Sequence, residues 1–233
     1  MVIKNENLMA LVLIFVIGLA VDVAHSKLVG YWKFDEEAGD IVYDHSDNGN
    51  NGTINSLDGV IAYDKGVIGS SMNFDGSGHV GIKSSESFNF GRGDFSITGW
   101  LTSNQPSPDY MVTKRATVAS PLWAIGSTLD RVNQTFSFVG RAGDAHNEFV
   151  RFYGKTKIVN TGWHHVAAVR KDGIVSLYVD GIVEKSQLFP FSMDVAAPLQ
   201  IGGWPDGSLV GLIDEVRIYN HALNDHDIAQ LYL

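Results

Sequence analysis

Three kinds of side chain in this sequence could carry chemistry: acids inside apolar runs, adjacent acid pairs, and paired histidines. In GLIDEVRIYN, residues 211–220, strict alternation places Leu212, Asp214, Val216 and Ile218 on one face of a strand. Ile213, Glu215, Arg217 and Tyr219 then take the other face. A carboxylate among aliphatic neighbours is costly to bury, so Asp214 is expected to hold a cation, a set of hydrogen-bond donors or a proton. The acid pairs offer less. A retaining glycosidase needs two carboxylates about 5 Å apart, which on a strand means alternate positions. Glu36-Glu37 and Asp214-Glu215 are neighbours that point to opposite faces, so no catalytic residue is assigned. A Gly-x-Ser-x-Gly elbow and a phosphate-binding glycine loop are also missing. His164 and His165 cannot share a face, and His79, His146, His221 and His226 lack zinc spacing. The pair reads as structural, hydrogen-bonded histidines.

Short β-rich runs separated by Gly, Asp and Asn could position these groups. They include LVGYWKF (28–34), FSITGWL (95–101), PLWAIG (121–126), TFSFVG (135–140), EFVRFYG (148–154) and GLIDEVRIY (211–219). Many short strands with turn signals between them predict a sandwich or barrel. Asp180-Gly181 supplies the positive φ angles of a two-residue hairpin turn, which predicts a hairpin over 174–187. WHHVAAVR (163–170) is apolar on both faces and reads as a central strand covered on both sides. The helical signal is C-terminal: Asn224 caps, Asp225 and Asp227 suit the first turn, and Ile228, Leu231 and Tyr232 share a stripe.

Residues 1–26 read as a separate segment. Lys4 precedes an apolar run from Leu8 to Val21, and Ala24-His25-Ser26 offers a cleavage site, which is the layout of a secretory signal peptide. The run is shorter than the roughly 20 residues of a membrane span. A signal is therefore expected, cleaved or kept as an anchor, followed by one domain over 27–233 with no membrane span. The net charge of −9 and the want of a basic stripe argue against nucleic acid as a partner. With no cysteine, disulfides, thiolate zinc sites and cysteine nucleophiles are excluded.

The order YWKFDE (31–36), DHSDNGNNGT (44–53), SMNFDGSGHV (71–80), FSITGWL, WHHVAAV, LYVDG (177–181), LQIGG (199–203) and IDEVRIYNHAL (213–223) resembles the laminin-G-like, concanavalin A-like jelly roll of secreted proteins. The match runs over nearly all of 27–233. The resemblance implies an all-β fold, a two-sheet antiparallel jelly-roll sandwich, here with a short C-terminal helix. It also implies an extracellular or cell-surface location, a face that in relatives binds glycans or proteins, and, in many relatives, a structural calcium.

Calcium needs about six to eight oxygens. Asp35, Asp75 and Asp214 are the first expectation, because the first and last strands of a sandwich are often neighbours. Asp44, Asp47, Asn48 and Asn50 are the second, although Asp and Asn beside Gly also make plain turns. A glycan-binding face needs aromatic platforms and polar groups, for which Trp123, Trp204, Tyr110, Arg141 and Arg151 are the candidates. The expected function is a secreted, non-catalytic module for a carbohydrate or glycoprotein ligand, stabilised by calcium. A structural or adhesive domain with a protein partner is the alternative, and a glycan-degrading enzyme is the least favoured.

Overall fold

A computed structural model of the protein describes residues 28–56, 62–105, 109–115, 122–127, 133–142, 149–203 and 208–233. The expected signal segment and Trp204 lie outside them. Two antiparallel sheets form the sandwich. Its strands are β1 (Leu28–Trp32), β2 (Ile41–Val42), β3 (Gly52–Ser56), β4 (Ala62–Lys65), β5 (Ser70–Asp75), β6 (Gly78–Ile82), β7 (Phe95–Leu101) and β8 (Asp109–Arg115). They continue with β9 (Leu122–Ser127), β10 (Thr135–Arg141), β11 (Phe149–Lys157), β12 (His164–Lys171), β13 (Ile174–Val179), β14 (Ile182–Leu188), β15 (Leu199–Ile201) and β16 (Val210–Tyr219), before helix α1 (Asp225–Tyr232). Sheet A runs β14-β13-β12-β7-β16-β5-β4, with β1 also on β16; sheet B runs β11-β10-β9-β8-β15-β6-β3-β2. The two-sheet jelly-roll sandwich that the resemblance implies is the fold that forms.

The core lies between the sheets. Phe74, Ile97, Val166, Leu177 and Ile213 enter it from sheet A, and Val80, Val112, Ile125 and Phe138 from sheet B. Full burial of each such side chain contributes about 1.5–3 kcal/mol. The β13–β14 hairpin turns through Asp180 (φ 50°) and Gly181 (φ 79°), as the Asp-Gly pair requires. Helix α1 starts in a capping box: Asn224 Oδ1 accepts the Asp227 N–H at 3.0 Å, and Asp227 Oδ2 accepts the Asn224 N–H at 3.3 Å. Leu223 and Ile228 then pack over Ala167, Val169 and Tyr178. That cover explains why β12 is apolar on both faces.

Strand β16 departs from simple alternation. One side pairs with β7 over Ile213–Tyr219, while the other pairs with β5 over Val210–Ile213 and with β1 over Val216–Tyr219. The partner changes at Asp214-Glu215. There β16 gains one residue relative to β7, since Asp214 faces Trp100 and Arg217 faces Thr98, and Glu215 adopts φ 54°. This is a β-bulge, and it reverses which residues face the core. Ile213 is in the core before it, Val216 and Ile218 after it, and Leu212 is only half-buried. The expected grouping of Leu212, Asp214, Val216 and Ile218 on one face is corrected accordingly.

Glu215 is 1% exposed and bound on two sides. The Tyr31 hydroxyl donates to its Oε2 at 2.7 Å, and Arg217 Nη2 pairs with the same oxygen. Arg217 Nη2 also donates to the Tyr31 hydroxyl at 2.7 Å, and the guanidinium lies 4.2 Å from the centre of the Tyr31 ring. Burial and the neighbouring carboxylate push the Tyr31 phenol well up, so it remains a donor. Glu215→Ala leaves Arg217 without its counter-charge, and urea unfolding is expected to show a loss of about 3 kcal/mol. Glu215→Gln keeps an acceptor for Tyr31 and should cost less. An alanine variant as stable as the wild type contradicts this anchoring.

Candidate functional site

The acids expected to hold calcium accept backbone N–H groups. Asp214 is fully buried, and its Oδ2 accepts the N–H groups of Val67 at 2.8 Å and Ile68 at 3.0 Å. Asp35 Oδ1 accepts the Ser70 N–H at 2.9 Å. Both carboxylates thus grip the β4–β5 turn, whose glycines make room for them. A Cβ on Gly66 would lie 2.6 Å from Asp214 Oδ2, and one on Gly69 (φ 64°) would collide with Asp35 Oδ1. Asp75 stands at the far end of β5, opposite Val210, and accepts the Ser77 N–H at 2.9 Å and hydroxyl at 2.6 Å. From Val210 to Asp214 the strand rises roughly 13 Å. The expected convergence of Asp35, Asp75 and Asp214 is therefore corrected, since only Asp35 and Asp214 share a turn.

The loop set is also engaged. Asp44 Oδ1 accepts the N–H groups of Tyr31 (2.9 Å) and Ser46 (2.8 Å), and Oδ2 accepts the Ser46 hydroxyl and the Asn50 N–H, both at 2.8 Å. The Asn48 and Asn50 amides donate to the Leu28 and Val29 carbonyls at 3.1 and 2.9 Å. Asp47 is exposed. This is turn chemistry that ties the loop to β1. Among the described residues, no group of three or more His, Asp or Glu is placed to hold an ion.

The histidines divide. His164 Nδ1 lies 2.8 Å from Asp180 Oδ2 and its Nε2 2.9 Å from the Thr161 hydroxyl. The His165 ring is fully buried without a hydrogen-bond partner and packs edge-on to Trp100 at 5.4 Å. So the expected hydrogen-bonded pair is one bonded histidine and one packed one. Burial, and then the charge of Arg217, push His165 down to about 4.

The outward face of sheet B carries one residue from each strand in register: Ile41, Thr53, Gly81, Gln200, Thr113, Ala124, Val139 and Arg151. Its middle is closed, with Thr113, Ala124 and Val139 only 1–3% exposed, while its two ends are open. Arg151 is exposed at the β11 end with its guanidinium 5.0 Å from the centre of the Phe149 ring, and Arg141 is half-buried beside it. Of the remaining expected ligand residues, Trp204 lies outside the described residues, and Trp123 and Tyr110 do not join them. Trp123 is fully buried and faces inward, 6.4 Å from Phe90, because it shares its parity with Ile125. Tyr110 is buried as well.

The other open end holds residues that sequence reasoning missed. Beside β2, a groove of about 610 Å³ is lined by Ile41, Tyr43, Asn51, Thr53, Lys83 and Ser84, among others. Tyr43 is 54% exposed, yet its N–H is fixed by Glu36 Oε1 at 2.8 Å. Asn51 Oδ1 accepts the Asp44 N–H at 2.9 Å, which leaves its amide NH2 to donate. The available signal was Ile41 and Tyr43 at alternate positions just before the loop.

A profile of the concanavalin A-like lectin/glucanases superfamily matches residues 74–229. Adhesion G-protein coupled receptor V1 of Danio rerio is 24% identical over 145 residues, which are 60% of this chain and 2% of the receptor. The chain therefore spans a small fraction of that relative. Domain 4 of a GH43 extracellular arabinanase from Geobacillus stearothermophilus, solved in complex with arabinotriose, superposes with a TM-score of 0.73 at 21% identity, over 89% of this chain and 99% of that one. The binding domain of botulinum neurotoxin DC in complex with rat synaptotagmin II gives 0.65 at 17% identity, over 88% of this chain and 51% of that one. The same binding domain was also solved in complex with SialylT.

The two buried titrating groups should leave opposite marks on stability. Burial pushes the Asp214 carboxyl up to about 6, so the folded state binds extra protons above the ordinary carboxylate range and Asp214's contribution falls as pH rises towards 6. His165 is held down at about 4, so its contribution is lost as pH falls from about 6.5 to 4. Thermal unfolding is expected to be nearly level over pH 4–6 in the wild type. On acidification His165→Phe should gain stability and Asp214→Asn should lose it; parallel profiles contradict both assignments. At neutral pH, Asp214→Ala strands two N–H donors and should cost about 2 kcal/mol, more than Asp214→Asn.

Proposed function

The chain belongs to the concanavalin A-like lectin/glucanases superfamily, and on that footing we propose that it is a non-catalytic binding module for a carbohydrate or the glycan of a glycoprotein. The observation that carries this reading is the accessible outer face at the two ends of sheet B. An exposed tyrosine with amide and hydroxyl groups borders one end, and an exposed arginine over a phenylalanine ring borders the other. Aromatic platforms beside a few convergent polar groups are suited to sugar rings and their hydroxyls. The arabinanase domain solved with arabinotriose and the toxin domain solved with SialylT support the reading by analogy of fold.

The adjacent acids support the absence of catalysis. Asp214 is occupied by two backbone donors and Glu215 by Tyr31 and Arg217, so neither is poised as an acid or base. An extracellular or cell-surface setting belongs to the same proposal, in keeping with the apolar segment at residues 8–21. A protein partner is the second reading, favoured by the toxin domain solved with synaptotagmin II and by the likeness to an adhesion receptor. No helix among the described residues is long and apolar enough to cross a membrane.

A glycan array probed with the folded protein is expected to show saturable binding to at least one glycan. Incubation with the corresponding polysaccharide should release no reducing sugar. Sugar release overturns the non-catalytic reading, and an array without signal shifts the proposal to the protein partner.

A further inference from the structure

We propose that the groove beside β2 is a saccharide subsite for a neutral sugar, with Tyr43 as the platform on which the ring stacks. This deepens the glycan-binding reading and rests on it. Four observations carry it. First, Tyr43 and Ile41 expose 54% and 41% of their surface side by side, a concentration of apolar area that a sugar's C–H face would cover. Second, the groups around them are hydroxyls and amides: Thr53, Ser84, Ser85 and the NH2 of Asn51.

Third, the loop that forms one wall is rigid before any ligand arrives. Asp44 collects four hydrogen bonds from Tyr31, Ser46 and Asn50, and the Trp32 indole donates to the Asn50 carbonyl at 3.0 Å. A wall already fixed lowers the ordering cost of binding. Fourth, the charge around the groove selects against an anion. Among the described residues of its lining Lys83 is the one that is charged, with no arginine to clamp a carboxylate or sulfate in two-point fashion. Glu36 and Asp44 border it, holding the Tyr43 and Tyr31 N–H groups, and the chain as a whole carries −9. Lys83 then serves as a donor to a sugar hydroxyl. Among the described residues no carboxylate lines the groove, in keeping with a site that binds sugar.

The test is titration calorimetry of the full folded chain with arabinotriose, xylotriose, cellotriose and lactose as neutral probes, and sialyllactose and trigalacturonate as acidic ones. The wild type is expected to bind at least one neutral probe and to bind no acidic probe more tightly. Tyr43→Ala should weaken that binding about tenfold, the scale of one aromatic contact. Tyr43→Phe should retain it, which separates loss of the ring from loss of the fold. Preference for an acidic probe overturns the inference. Binding lost with Arg151→Ala but kept with Tyr43→Ala also overturns it, while the glycan-binding reading survives. Failure of the wild type to bind any of the sugars, together with a silent glycan array, overturns both.

Discussion

Two adjacent carboxylates at one bulge of β16 hold the seam of this sandwich. Strand β16 lies against β7 over Ile213–Tyr219 but must share its other edge between β5 and β1. Asp214 fixes the turn that leads into β5 through the N–H groups of Val67 and Ile68. Glu215, one residue on and past the change of facing, fixes β1 through the Tyr31 hydroxyl. The Glu215 charge is met by a guanidinium, while two backbone donors on Asp214 Oδ2 only partly offset the burial that pushes its carboxyl up to about 6. The positive φ of Glu215 is the local strain that permits adjacent residues to reach separate segments.

The same seam reaches the groove. Tyr31 is held at both ends: its hydroxyl by Glu215 and its N–H by Asp44. Asp44 in turn organises Ser46 and Asn50, and its own N–H orients Asn51 at the groove wall. A structural network in sheet A thereby sets the shape of an accessible surface at the edge of sheet B. The fold alone does not choose a ligand, since one sandwich supports many functions; the choice lies in what the loops present.

Much of the architecture was legible in local pattern. Asp180-Gly181 specified its hairpin, Asn224 and Asp227 specified the helix start, and the two-faced apolarity of WHHVAAVR reported a strand between core and helix. The bulge was harder to see, because a period of two assumed along the whole strand grouped Leu212 and Asp214 with Val216 and Ile218. Its trace is the spacing of Ile213, Val216 and Ile218, three and then two, which only a bulge allows to share a face. Trp123 misled because an aromatic ring suits a platform and a core equally, and its alternation with Ile125 decides for the core. Tyr43 escaped because β2 has just two residues, too short for periodicity to register. The acid-rich loop invites two readings because turn-forming Asp and Asn are also the residue types of calcium ligands, and its hydrogen bonds show that Asp44 organises the turn.

The central claim is that the bulge of β16 sets the groove loop through Tyr31. Backbone amide hydrogen exchange in a Tyr31→Phe variant tests it most directly, because this change removes only the hydroxyl that Glu215 holds. Faster exchange at Ser46 and Asn50, with amides of β9 and β10 unchanged, is the predicted result. Exchange at Ser46 and Asn50 as slow as in the wild type would contradict it.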